Sequence, residues 1–182
     1  MFSYEDLESL FRSLTFLSIP LIISALFISW KNLNCRYLFS LLLLIEILDS
    51  SMYDASLTWG HYYYLWGMFV CLTFIIPTLA RRLLLKKVYH IDFFKRIYSS
   101  YHFGRYEGGL LFIFFSSFIL HSISFLEASL YVAYIVDSML FIEAAFSPVQ
   151  LFLHITAMYF IISLSLQHRY SDAHHFSTSK MY

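Results

Sequence analysis

Charge is the scarcest property of this chain. Only 13% of its 182 residues are Asp, Glu, Lys or Arg, while 59% are apolar. A soluble domain carries about 25% charged and about 45–50% apolar residues. A domain this small leaves much of its surface wet, so the surplus cannot be hidden in one core. Composition therefore argues against a soluble domain and for a membrane protein. Twelve basic and twelve acidic residues cancel, so net charge points to no partner.

Other absences narrow the function classes. Cys35 and Cys71 form neither a C-x-x-C pair nor a Cys/His metal spacing, so no disulfide framework and no zinc site is signalled. The chain lacks the phosphate-binding and dinucleotide-binding glycine patterns, H-E-x-x-H and G-x-S-x-G. No cofactor and no metal is expected. His168, Asp172, His174 and His175 match no metal spacing and read as a polar tail over 167–182. No N-x-[ST] sequon occurs. The opening "MFSYEDLESLFR" carries Glu5, Asp6 and Glu8 where a signal peptide needs positive charge. The first apolar run is thus expected to be retained.

Long apolar runs are abundant instead. A helix crossing a bilayer needs about 20 mostly apolar residues. Segments 13–30, 61–80, 108–126 and 149–166 meet that need. The start of one of them is telling: 61–80 opens with "HYYYLW", an aromatic belt of the kind found at a membrane–water boundary. Segments 33–52 and 128–146 are ambiguous, because each carries acids. Between the halves lies "RRLLLKKVYHIDFFKRIYSSYHFGRYE", 81–107, with seven bases against Asp92 and Glu107. Leu84, Val88, Ile91 and Tyr98 share one helical face of it, which predicts a helix lying along the membrane surface.

Lys and Arg of short loops stay on the cytoplasmic side. Segment 81–107 is then inside, and counting bases selects among topologies. Five spans, with 33–52 crossing, put eleven bases inside and only Arg12 outside; four spans give ten to two, and six give nine to three. The expected fold is a single all-α polytopic membrane domain over 1–182. It has about five transmembrane helices (four to six), plus the basic interfacial helix on the cytoplasmic side. The expected location is a plasma or bacterial inner membrane.

The stretch "LLLLIEILDSSMYDASLTW", from Leu41, then poses a problem. It carries Glu46, Asp49 and Asp54, and no base lies between Arg36 and Arg81. A charge at a span centre costs about 2.5–3.5 kcal/mol, and each Leu, Ile or Phe returns about 0.3–0.6 kcal/mol. The ten such residues of 33–52 contribute roughly 3–6 kcal/mol, so insertion is marginal. It needs help from neighbours or a proton on Glu46. Glu46 and Asp49, three apart, share a helix face, and Asp54 is expected in an outside loop.

Intramembrane ionisable groups are candidates for ion paths or proton relays. Glu46, Asp49, Asp137 and Glu143 qualify, with His121 and His154 as relays. The competing reading is structural: Glu46 protonated and bonded to a Tyr or Ser of another helix, Asp137 in a wet re-entrant or surface segment, each His neutral and bonded to a neighbour. Arg81, Arg82, Lys86, Lys87, Lys95, Arg96 and Arg105 are candidates for binding anionic lipid, at about 1 kcal/mol per base, or a protein partner. Nucleic acid is not an expected partner, since the lipid surface competes for those bases. Two functions follow. One is a non-enzymatic membrane subunit, an anchor, scaffold or sensor that forms a homo-oligomer or recruits a cytosolic partner through the basic segment. The other is a proton- or cation-coupled transporter or channel using the intramembrane carboxylates.

Overall fold

The computed structural model describes residues 17–81 and 104–178, with backbone alone beyond 166. Every regular element among the described residues is helical. Helix α1 covers Leu17–Ile28. α2 is Leu33–Leu57 and α3 is Tyr63–Leu79, entered through a 3₁₀ turn at Gly60–Tyr62. α4 is Arg105–Val132 and α5 is Ser147–Thr178, preceded by a π-helical turn at Ile142–Phe146. Three stretches are long and apolar enough to cross a membrane: Gly60–Leu79, Arg105–Val132 and Ile142–Leu166.

The apolar surface of these helices is turned outward. Leu65, Phe69, Leu72, Ile76 and Leu79 form an exposed stripe along α3 at helical spacing. Phe112, Phe115, Ile119, Ile123 and Leu126 do the same on α4, and Phe152, Ile155, Tyr159, Ile162 and Leu166 on α5. The opposite, buried face of α4 is mixed, with Leu110, Ile113 and Leu120 beside Ser117, His121, Ser124 and Ala128. Small and polar side chains inside with large apolar ones outside are compatible with helices packed in lipid.

Close approach of the helices depends on two glycines. A Cβ on Gly67 of α3 would collide with the His121 imidazole of α4. One on Gly109 of α4 would sit 2.8 Å from the Phe160 ring of α5. Small residues at such crossings let backbones approach and widen the packed area.

α2 is 25 residues long, about 37 Å at 1.5 Å per residue. It therefore has the length of a span, though its acids keep it out of the apolar set. Asn32 starts it, with Oδ1 accepting from the N–H of Asn34 (2.9 Å) and Cys35 (3.2 Å). The helix also runs past the 33–52 boundary, so Asp54 sits in its exposed final turns rather than in a loop.

Segment 128–146 is not one helix. α4 ends at Val132, and Tyr134 takes a left-handed φ of 56°. Its N–H bonds Tyr131 O (3.0 Å), and Ile135 N–H reaches back to Leu130 O (2.9 Å). These two bonds make a Schellman cap, usually closed by glycine. The chain then reverses. Glu127 fastens the far side, its two carboxylate oxygens accepting from Phe141 N–H and Ile142 N–H, both at 2.8 Å.

The ends of the bundle differ. Where α2 begins and α3 ends, Ile22, Leu38, Phe39, Phe74, Leu110 and Leu164 form an apolar core. It is closed by a buried ion pair. Arg81 donates from Nη1 to Glu107 Oε1 at 3.2 Å and from Nη2 to Asn34 Oδ1 at 3.1 Å, and lies 4.3 Å from the Tyr37 ring centroid. This cluster ties together the start of α2, the end of α3 and the first turn of α4. The polar side chains gather toward the other end, where Trp59 lies.

Candidate functional site

A cavity of about 400 Å³ lies between α2, α3, α4 and α5 toward the Trp59 end. Each wall follows from helical spacing. α2 contributes Glu46, Asp49, Tyr53 and Ser56, which lie one or two turns apart on one face. α3 contributes Tyr63, Tyr64, Trp66, Gly67 and Cys71; α4 contributes Ser117 and His121; α5 contributes Gln150 and His154.

The carboxylates are held but not neutralised. The Ser18 hydroxyl of α1 donates to Glu46 Oε1. The Trp66 indole N–H donates to Asp49 Oδ1 at 2.8 Å. Each acid thereby fixes a neighbouring helix against α2 and keeps its second oxygen for another donor. Among the described residues no Lys or Arg lines the cavity.

On the far wall, His121 is 5% exposed. Its Nδ1 lies 2.8 Å from Ser117 O, one turn earlier in α4. A carbonyl only accepts, so Nδ1 carries the hydrogen, and in the neutral ring Nε2 is an acceptor. That Nε2 edge lies over Gly67 and borders the cavity. The ring also meets Phe146 edge-on, centroids 5.3 Å apart. Ser117 Oγ donates to Gln150 Oε1 at 3.1 Å, joining α4 to α5.

The cavity runs from mid-helix to the helix ends. His154 lies twelve residues from each end of Ile142–Leu166, about 18 Å of helix either way, whereas Gly60, Tyr63 and Tyr64 line it at the start of Gly60–Leu79. Four of the six sequence-derived path candidates thus converge here: Glu46, Asp49, His121 and His154. Asp137 and Glu143 do not. Asp137 is exposed in the reversal after α4, and Glu143 is exposed on the π turn.

The basic set divides differently. Arg81 is 1% exposed and engaged inside the bundle, so it cannot present its charge to lipid or a partner. Its partner Glu107 comes from the same stretch of sequence, 26 residues on. Arg105 is exposed on the first turn of α4. Arg82, Lys86, Lys87, Lys95 and Arg96, and with them most of the surface helix expected over 81–107, lie outside the described residues.

Sequence reasoning did not single out Ser18, Trp66, Ser117, Gln150 or Gly67. Gln150 carried a weak signal, being a primary amide one residue inside an expected span. The others are ordinary residues for a span or its boundary and acquire meaning only from neighbouring helices. Among the described residues no group of three or more His, Cys, Asp or Glu is placed to hold a metal ion. Comparison with protein-family models, curated proteins and solved structures gives no match.

Proposed function

We propose that this chain is an integral membrane protein that carries protons or small cations through a site formed by Glu46 and Asp49, with His121 and His154 as proton partners. The observation that supports it is the cavity itself: two carboxylates and two imidazoles on three helices, with no Lys or Arg on its wall among the described residues. Half-buried acids at membrane depth with no base beside them are balanced by protons or by a bound cation. The outward apolar stripes of α3, α4 and α5 support the membrane setting. With 81–107 on the cytoplasmic side, as its bases favour, the cavity lies in the outer half of the membrane.

The anchor-and-recruitment reading has less support. Arg81, the described base that opens its docking segment, points into the bundle.

Reconstituted vesicles carrying a proton- or sodium-sensitive dye test the proposal. The double variant Glu46→Gln, Asp49→Asn is expected to abolish cation flux, whereas Asp137→Asn leaves it unchanged. Undiminished flux in the double variant, with the protein inserted and folded, rules the carrier reading out.

A further inference from the structure

The walls of the cavity say more than that it attracts positive charge. Aromatic rings line the cavity together with Glu46 and Asp49: Tyr53 on the same helix, Tyr63, Tyr64 and Trp66 on α3, and Phe146 on the π turn. Tyr64 meets Phe146 edge-on at 5.2 Å, and Trp66 meets Trp59 edge-on at 6.0 Å. A ring face attracts a cation, most strongly one whose charge is spread over a weakly hydrated organic head. The volume, about 400 Å³, falls in the range of small-molecule pockets, roughly 300–1,000 Å³. A bare inorganic cation would leave most of it to water, at about 30 Å³ per molecule.

We propose that the cavity binds a small organic ammonium ion, its charged nitrogen between Glu46 and Asp49 and its carbon body against Tyr63, Tyr64 and Phe146. This rests on reading the cavity as a cation site and specifies which cation. His121 Nε2 and the Ser117–Gln150 pair supply acceptors and a donor on the opposite wall for a polar substituent. The ammonium chemistry has two sources: a free amine or quaternary ammonium solute, and the head group of an ethanolamine lipid.

Calorimetric titration of the full chain tests this, in nanodiscs of phosphatidylglycerol, which has no ammonium group. Choline and phenethylamine are the probes, beside sodium ion and dimethylbutanol, the neutral carbon isostere of choline. Either ammonium probe is expected to bind at least about tenfold more tightly than the isostere, and Asp49→Asn to weaken it by about tenfold or more. Asn keeps an acceptor for the Trp66 indole, and the unfolding midpoint checks that the variant is intact. Glu46→Gln reads the same charge should Asp49→Asn fail to fold. Repeating the titration in phosphatidylethanolamine nanodiscs separates the sources. Competitive loss of probe affinity assigns the site to the lipid head group, and unchanged affinity to a free solute; both support the ammonium site. Equal affinity for choline and dimethylbutanol, or sodium binding with no ammonium binding, overturns the inference. The second result leaves the cation-carrier reading standing, whereas absence of any cation binding or flux overturns both.

Discussion

Replacing Gly67 with alanine adds one methyl group at the most crowded point of the bundle. That methyl falls on Cδ2 and Nε2 of His121. The ring cannot simply turn aside, because Nδ1 is bonded to Ser117 O at 2.8 Å and the plane is set against Phe146 at 85°. Either α3 and α4 separate or the imidazole abandons its hydrogen bond. Overpacking of this kind costs about 1–3 kcal/mol, and loss of a buried hydrogen bond adds about 1 kcal/mol. Gly67→Ala is therefore expected to destabilise by about 2–4 kcal/mol. Reversible unfolding in detergent measures it, with His121→Ala and the double variant completing a cycle. In the double variant the new methyl enters space the imidazole vacated. The two losses should then fall short of additive by about 1–3 kcal/mol. Additivity within about 0.5 kcal/mol would refute the close contact between Gly67 and His121, and with it the fixed orientation of Nε2.

The same measurement serves three further variants. Glu107→Gln leaves the Arg81 guanidinium buried without its anion and should destabilise by about 3–5 kcal/mol, while Arg81→Met with Glu107→Leu should recover most of that; equal loss in both would reject the ion pair as the cause. Tyr134→Gly relieves a left-handed residue that is 95% exposed and so loses no packing. It should stabilise by about 0.5–1 kcal/mol after the greater chain entropy of glycine is allowed for, and a lowered midpoint would count against the Schellman cap.

The helical class, three of the apolar segments and the anomaly of the acids were legible from composition and run length alone. Those signals are local, and a lipid-facing helix declares itself without reference to its neighbours. The break within 128–146 was legible only as an alternative. Its acids left the segment ambiguous, with a wet re-entrant or surface stretch around Asp137 as the competing reading, and a tyrosine occupies the left-handed position where glycine would have signalled a stop. Glu127 also hides its role, because it caps a turn fourteen and fifteen residues later in the chain. Arg81 was misjudged for a related reason. It opens a basic run and was grouped with that run, while its anion and its amide partner come from two other helices. Pairing between helices has no sequence period to betray it.

The acids of α2 are best understood from the face they occupy. Cys35, Leu38, Phe39, Leu42 and Ile45 are the buried residues of its first half, recurring every turn on one face, and they join the apolar core. Continuing the same rhythm gives Asp49 and then Ser56, with Glu46 and Tyr53 beside them, and all four line the cavity. One inward stripe therefore runs the length of α2, apolar where it meets the core and polar where it meets the open space. Leu44, Ile47 and Leu48 stand on the exposed side of the same turns. An acid on that side would face hydrocarbon in a bilayer and would bear the full insertion cost. Glu46 and Asp49 face protein donors and a cavity instead. Turned inward and bonded to Ser18 and Trp66, the two acids bind α1 and α3 to the helix that carries them.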